Sequence, residues 1–119
     1  MPGPEPHPGL IRQAFADNNG NPWVQVVYGT SVDPNRLGNQ HFTVSKVSEL
    51  DACGLWRATR FCFDRCMELP WSVEYFAALP GLPTPIIGCL SPYSIQILQI
   101  QLAYYQRDLQ ERDNVKRSE

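Results

Sequence analysis

The chain has 119 residues, 43% of them hydrophobic and 18% charged, and a formal net charge of −2. That is enough for one domain with one core, it includes no apolar run near the ~20 residues of a membrane span, and its charge balance excludes broad electrostatic adhesion to nucleic acid. The Pro-rich entry from Met1 to Pro8 has neither the basic nor the apolar region of a secretory signal, so a cytoplasmic location is expected.

Gly9 to Phe15 reads as a strand. Asp17-Asn18-Asn19-Gly20-Asn21-Pro22 supplies turn residues that tolerate positive φ, and Trp23 to Thr30 returns, so the two form a hairpin. A polar loop over residues 32–39 leads to a short strand, Gln40 to Val44, and Ser48 to Asp51 is predicted as one helical turn closed by Gly54. Thr59 to Asp64 and Cys66 to Leu69 read as further strand ending at Pro70. Residues 77–85, with three prolines and a glycine, connect Trp71–Phe76 to a short strand at Ile86-Ile87.

The period then changes. Ser91 is a good N-cap and Pro92 suits the first helical position, so a helix is predicted from there to about Arg112. Ile95, Leu98, Leu102, Tyr105 and Leu109 form one apolar stripe, and Tyr93, Ile97, Ile100 and Tyr104 form a second beside it. Two stripes are more than one contact buries, and a homodimer through Leu98, Leu102 and Tyr105, or a bound partner, is the economical expectation. Residues 113–119 read as a disordered tail. The expectation is five or six short strands and a long C-terminal helix in one domain spanning residues 1–119.

Cys53, Cys62, Cys66 and Cys89 are expected as buried free thiols rather than disulfides or metal ligands, because Cys53 and Cys89 are isolated and no histidine follows at ligand spacing. Cys62 and Cys66 share strand parity, which allows them to point to one face. Arg57, Arg60 and Arg65 concentrate positive charge that is otherwise sparse before residue 107.

The run Trp23 to Ser31 ends in Gly29-Thr30-Ser31, which delivers two hydroxyls to a sheet rim where they can reach a phosphate or carbonyl oxygen. Several segments in chain order resemble the PemK/MazF toxin family. His7-Pro8-Gly9-Leu10-Ile11 resembles the family's Arg-Pro-x-Leu-Val strand entry, with histidine in place of arginine, and Val26 to Ser31 resembles its apolar strand ending in Thr-Ser. Gly54-Leu55 before Thr59-Arg60-Phe61, and Ile87-Gly88-Cys89-Leu90 before a helix, resemble two later family motifs. The resemblance implies a mainly β, small SH3-like barrel with a long C-terminal helix. It further implies a homodimeric endoribonuclease that cleaves single-stranded mRNA without metal or other cofactor and pairs with an antitoxin protein.

Such cleavage needs a base for the 2′-hydroxyl, an acid for the leaving 5′-oxygen, and donors for the charge growing on phosphate. His7 or Asp64 is the candidate base, Arg65 or Arg60 the phosphate clamp, and Thr30 and Ser31 the hydroxyl donors. Arg57 and Arg60 are candidate RNA contacts. Trp23, Tyr28, Trp56 and Trp71 are available to stack on bases, with Trp56 the one expected to be exposed. His41 reads as structural. The competing reading is a non-catalytic module of the same fold that docks an antitoxin-like peptide or a larger assembly.

Overall fold

The computed structural model describes residues 7–36, 38–72, 74–76, 78, 81 and 84–118. The elements are β1 (Gly9–Ala16), β2 (Pro22–Thr30), β3 (His41–Val44), α1 (Val47–Cys53), β4 (Thr59–Pro70) and α2 (Pro92–Ser118). Asp17 organises the β1–β2 turn: its carboxylate accepts from the Asn19 and Asn21 N–H groups at 2.9 Å and from the Trp23 indole at 3.0 Å. Those bonds, the Asn21 N–H first, hold the Asp17 carboxyl below its ordinary pKa.

The four strands form one curled antiparallel sheet in the order β1-β2-β4-β3. Two register breaks accompany the curl, as bulges do. Arg12 is the extra residue of β1 between Ile11↔Val26 and Gln13↔Gln25. The larger break is in β4, where Cys62 pairs with Tyr28 but Cys66 pairs with Val27, so Phe63, Asp64 and Arg65 have no partner on β2.

This odd insertion reverses the parity of β4 relative to β2. Cys62 and Cys66 therefore face opposite sides of the sheet, contrary to the shared parity of their numbers: Cys62 lies beside Tyr28, and Cys66 packs with Val27 on the core. All four cysteines are free thiols, but Cys89 is exposed rather than buried. Burial raises the pKa of the Cys53 and Cys66 thiols, reinforced at Cys53 by the Glu49 charge.

The core lies on one sheet face, with Val27, Phe42, Val44, Cys53, Phe61 and Phe63 at its centre. Val27 and Phe42 are each only 2% exposed, and full burial of such side chains contributes about 1.5–3 kcal/mol apiece. α1 and α2 cover this face. Leu98, Leu102 and Tyr105, expected at a dimer contact, pack on the chain's own core, with the Tyr105 ring 5.5 Å from that of Phe63. The outward apolar groups of α2 include Tyr93, Ile95, Ile97, Ile100, Tyr104, Leu109 and Val115.

Ser91 caps α2 by accepting from the Ser94 N–H at 3.2 Å, and the Ser91 and Ser94 hydroxyls both donate to Glu49 of α1. Those two hydroxyls, Ser91 first, hold the Glu49 carboxyl below its ordinary pKa. Gly54 closes α1 in the left-handed region at φ 68°. A methyl group there would lie 2.0 Å from the Ile87 carbonyl oxygen, and one on Gly88 would lie 2.2 Å from the Cys53 carbonyl carbon. The two glycines thus let the backbone entering α2 pass directly over the end of α1, where Cys89 N–H donates to Ala52 at 3.0 Å. Gly54→Ala is expected to lose about 2–4 kcal/mol, through both φ and the backbone contact. A urea midpoint that falls at constant slope measures it, and a loss under 1 kcal/mol contradicts the tight contact.

Several expected elements differ. β4 is one strand through residues 59–70, Ile86-Ile87 is not a strand, and the sheet has four strands rather than five or six. The sheet is a half-barrel: β1 and β3 are its two edges and do not pair with each other. α2 runs to Ser118, past the expected end at Arg112 and through most of the expected tail. Much of the connection expected at 77–85, most of the Pro-rich entry and Glu119 lie outside the described residues. No helix among the described residues is long and apolar enough to cross a membrane.

Candidate functional site

The sheet face opposite the core is polar near the end of β2. Tyr28 of β2 stands beside Cys62 of β4, which stands beside His41 of β3. Two pairs further along, Thr30 stands beside Arg60, and Arg60 beside Thr43. Alternation places these six side chains on one face, while Gly29, Phe61 and Phe42 take the core side.

The loop after β2 folds back over this face. Arg60 is only 7% exposed and fastens the loop, donating from Nε to the Asp33 carbonyl and from Nη2 to the Val32 carbonyl, each at 3.1 Å. Its Nη1 donates to His41 Nδ1 at 3.2 Å and to Cys62 Sγ at 3.3 Å. Four of the five guanidinium N–H groups are therefore engaged inside the protein. Thr43 adds a bond to the Pro34 carbonyl at 3.0 Å. Asp33 adopts φ 48°, a left-handed backbone that non-glycine residues seldom take, while its carbonyl accepts from Arg60.

Between the loop, the polar face and the β4 break is an open groove of about 360 Å³. Tyr28, Thr30, His41, Arg60 and Cys62 form its floor, Val32, Arg36 and Gln40 come from the loop, and Asp64 and Arg65 come from the break. The break is what puts the last two there, because β2 offers them no pairing partner. Arg65 is exposed, with its guanidinium carbon 4.2 Å from the centre of the Tyr28 ring. His7 reaches the same ring from the chain entry: its centroid is 5.1 Å away and its Nδ1 lies 3.3 Å from the Tyr28 hydroxyl.

A guanidinium only donates, so His41 Nδ1 accepts from Arg60 and the ring proton is assigned to Nε2. That Nε2 is buried and has no hydrogen-bond partner among the described residues. Burial lowers the His41 pKa from 6.5, the Arg60 and Arg36 charges lower it further, and Asp64 opposes them. A depressed histidine leaves the unfolded chain binding more protons than the folded one. Stability associated with neutral His41 is present above about pH 6.5 and declines as pH falls from there toward the depressed folded value, by at most ~1.4 kcal/mol per pH unit for one proton. Urea titrations at pH 7.5 and 5.5 should show that decline, and His41→Gln should remove it. Equal slopes in both proteins would disprove the assignment.

Of the residues singled out from sequence, Thr30, Asp64 and Arg65 share the groove, and His7 joins them through Tyr28. Thr30 Oγ1 accepts from the Val32 N–H at 3.1 Å. Arg60 lies under the groove as a structural fastener, not as an exposed clamp. Ser31 is exposed at the bend after β2 and does not line the groove. Trp56, 88% exposed, and Arg57 lie before β4 and outside the lining.

Tyr28, His41, Arg36 and Gln40 are groove residues to which sequence gave no catalytic role. Tyr28 shares strand parity with Thr30, a usable signal, whereas the place of His41 follows only from the β3–β4 register. No group of three His, Cys, Asp or Glu side chains suited to a metal ion occurs among the described residues. No protein-family model, curated protein or solved structure matches the chain.

Proposed function

We propose that the groove binds single-stranded RNA and cleaves it without metal, as a toxin-like endoribonuclease paired with an antitoxin protein in the cytoplasm. The observation that supports this is the convergence of Thr30, Asp64 and Arg65 on one groove with Arg36 and His41. It offers a carboxylate, exposed guanidinium groups and the Thr30 hydroxyl to a phosphodiester.

In the proposed step the 2′-oxygen attacks phosphorus while Asp64 takes its proton. The bond from phosphorus to the 5′-oxygen breaks, and His7 supplies the proton to the leaving oxygen. Arg65 and Arg36 hold the charge growing on the non-bridging oxygens, and Thr30 orients the phosphate. The products are a 2′,3′-cyclic phosphate and a 5′-hydroxyl.

Incubating the protein with a long unstructured RNA, with and without EDTA, tests the proposal. Chelator-insensitive cleavage that leaves those two ends supports it. Binding without cleavage would favour the non-catalytic module, and neither binding nor cleavage would remove the RNA reading.

A further inference from the structure

Three chain segments meet on the Tyr28 ring. The Gly29 N–H donates to the Pro8 carbonyl at 3.0 Å, which ties the chain entry to β2 immediately beside Tyr28. His7 then lies against the ring with its Nδ1 at the hydroxyl. On the other strand, pairing stops at Tyr28↔Cys62, and the unpaired residues of β4 bring the Arg65 guanidinium over the ring. The two groups assigned to protonate the leaving oxygen and to clamp the phosphate come from residues 58 positions apart, and Tyr28 touches both.

We infer that Tyr28 is the positioning residue of the groove, its ring holding Arg65 and its hydroxyl holding His7; this inference rests on the RNA-cleaving function proposed above. Cation–π contact with an exposed arginine is worth roughly 0.5–1 kcal/mol, more when desolvated, and it limits the rotamers of a long side chain that is otherwise free to swing. The hydroxyl acts separately. In the charged ring that acts as the acid both nitrogens carry protons, so Nδ1 donates to the Tyr28 hydroxyl oxygen and the Nε2 proton is presented on the far side of the imidazole. Tyr28 need not touch substrate for either effect.

The two halves of the side chain separate by substitution. Tyr28→Phe keeps the ring and removes the hydroxyl. It should lower kcat about 10-fold on a single-stranded RNA oligonucleotide, while leaving KM unchanged and leaving affinity unchanged for the 2′-O-methyl version, which cannot be attacked. Tyr28→Leu removes the ring as well and should weaken binding of the 2′-O-methyl oligonucleotide several-fold. That loss should not add to the loss from Arg65→Ala in the double variant, because both remove one contact.

Wild-type kinetics and binding in both Tyr28 variants of an active enzyme, or fully additive Tyr28→Leu and Arg65→Ala losses, would overturn the inference alone. If the wild type neither binds nor cleaves RNA, the proposed function falls and takes the catalytic part with it. The ring proton resonances of His7 then still test the placement: they should shift when the Tyr28 ring is removed, and unshifted resonances overturn it.

Discussion

Arg60→Ala should destabilise the protein by about 3–5 kcal/mol, a large part of the 5–15 kcal/mol that holds a small domain folded. The substitution strips donors from the Val32 and Asp33 carbonyls, from His41 Nδ1 and from Cys62 Sγ at once. Three of these bonds are part-buried and the one to Cys62 is buried, and losing all four together costs far more than losing one exposed ion pair. Arg60→Lys should recover little, because a single ammonium cannot reproduce a planar fork directed at three segments. Urea denaturation followed by circular dichroism measures both variants. A loss below 1 kcal/mol in Arg60→Ala would show that the loop is held by something else.

Arg65→Ala should do the reverse. The side chain is exposed and its contact is with one ring, so stability should change by no more than about 0.5 kcal/mol. RNA cleavage should fall about 10²–10³-fold, the size of effect seen when one preorganised transition-state donor is removed. Full activity in Arg65→Ala would move the phosphate clamp to Arg36, the other exposed arginine lining the groove. Arg60 and Arg65 are five positions apart, and in sequence both read as cations for RNA. The fold divides them, one closing the loop from within and one standing free at the rim.

That division shows where sequence reasoning stops. β1, β2, β3, the α1 turn with its Gly54 cap, and the Ser91-Pro92 start of α2 follow from local signals: strand-forming runs, turn residues and caps. The break in β4 has only the interruption at Arg65 as a local signal, and that does not give its extent. Parity counted from Cys62 gives the wrong face for Cys66, because a register is a property of two strands.

Asp64 and Arg65 could be picked from their chemistry but not placed, since only the lost pairing to β2 turns them into the groove. Arg60 reads as an exposed cation in sequence for the opposite reason, since its burial is set by a loop 27 residues upstream. The end of α2 is not legible in sequence because residues 113–118 lack the apolar period that marks the rest of the helix.

The strand order also bears on how the chain reaches this fold. β1 and β2 are joined by a tight turn and can pair as soon as both are available, within microseconds for an isolated hairpin. The central pairing of the sheet, β2 with β4, joins residues from 30 positions apart at Thr30↔Arg60 to 47 apart at Trp23↔Pro70. β3 pairs with β4 alone, across 15 positions at Val44↔Thr59 to 21 at His41↔Cys62. Of the three pairings, β2 with β4 therefore carries the longest closure and the largest loop-entropy cost, the feature that slows small β domains relative to helical ones. The polar face and its groove, built from residues of all three of these strands, form only after that closure.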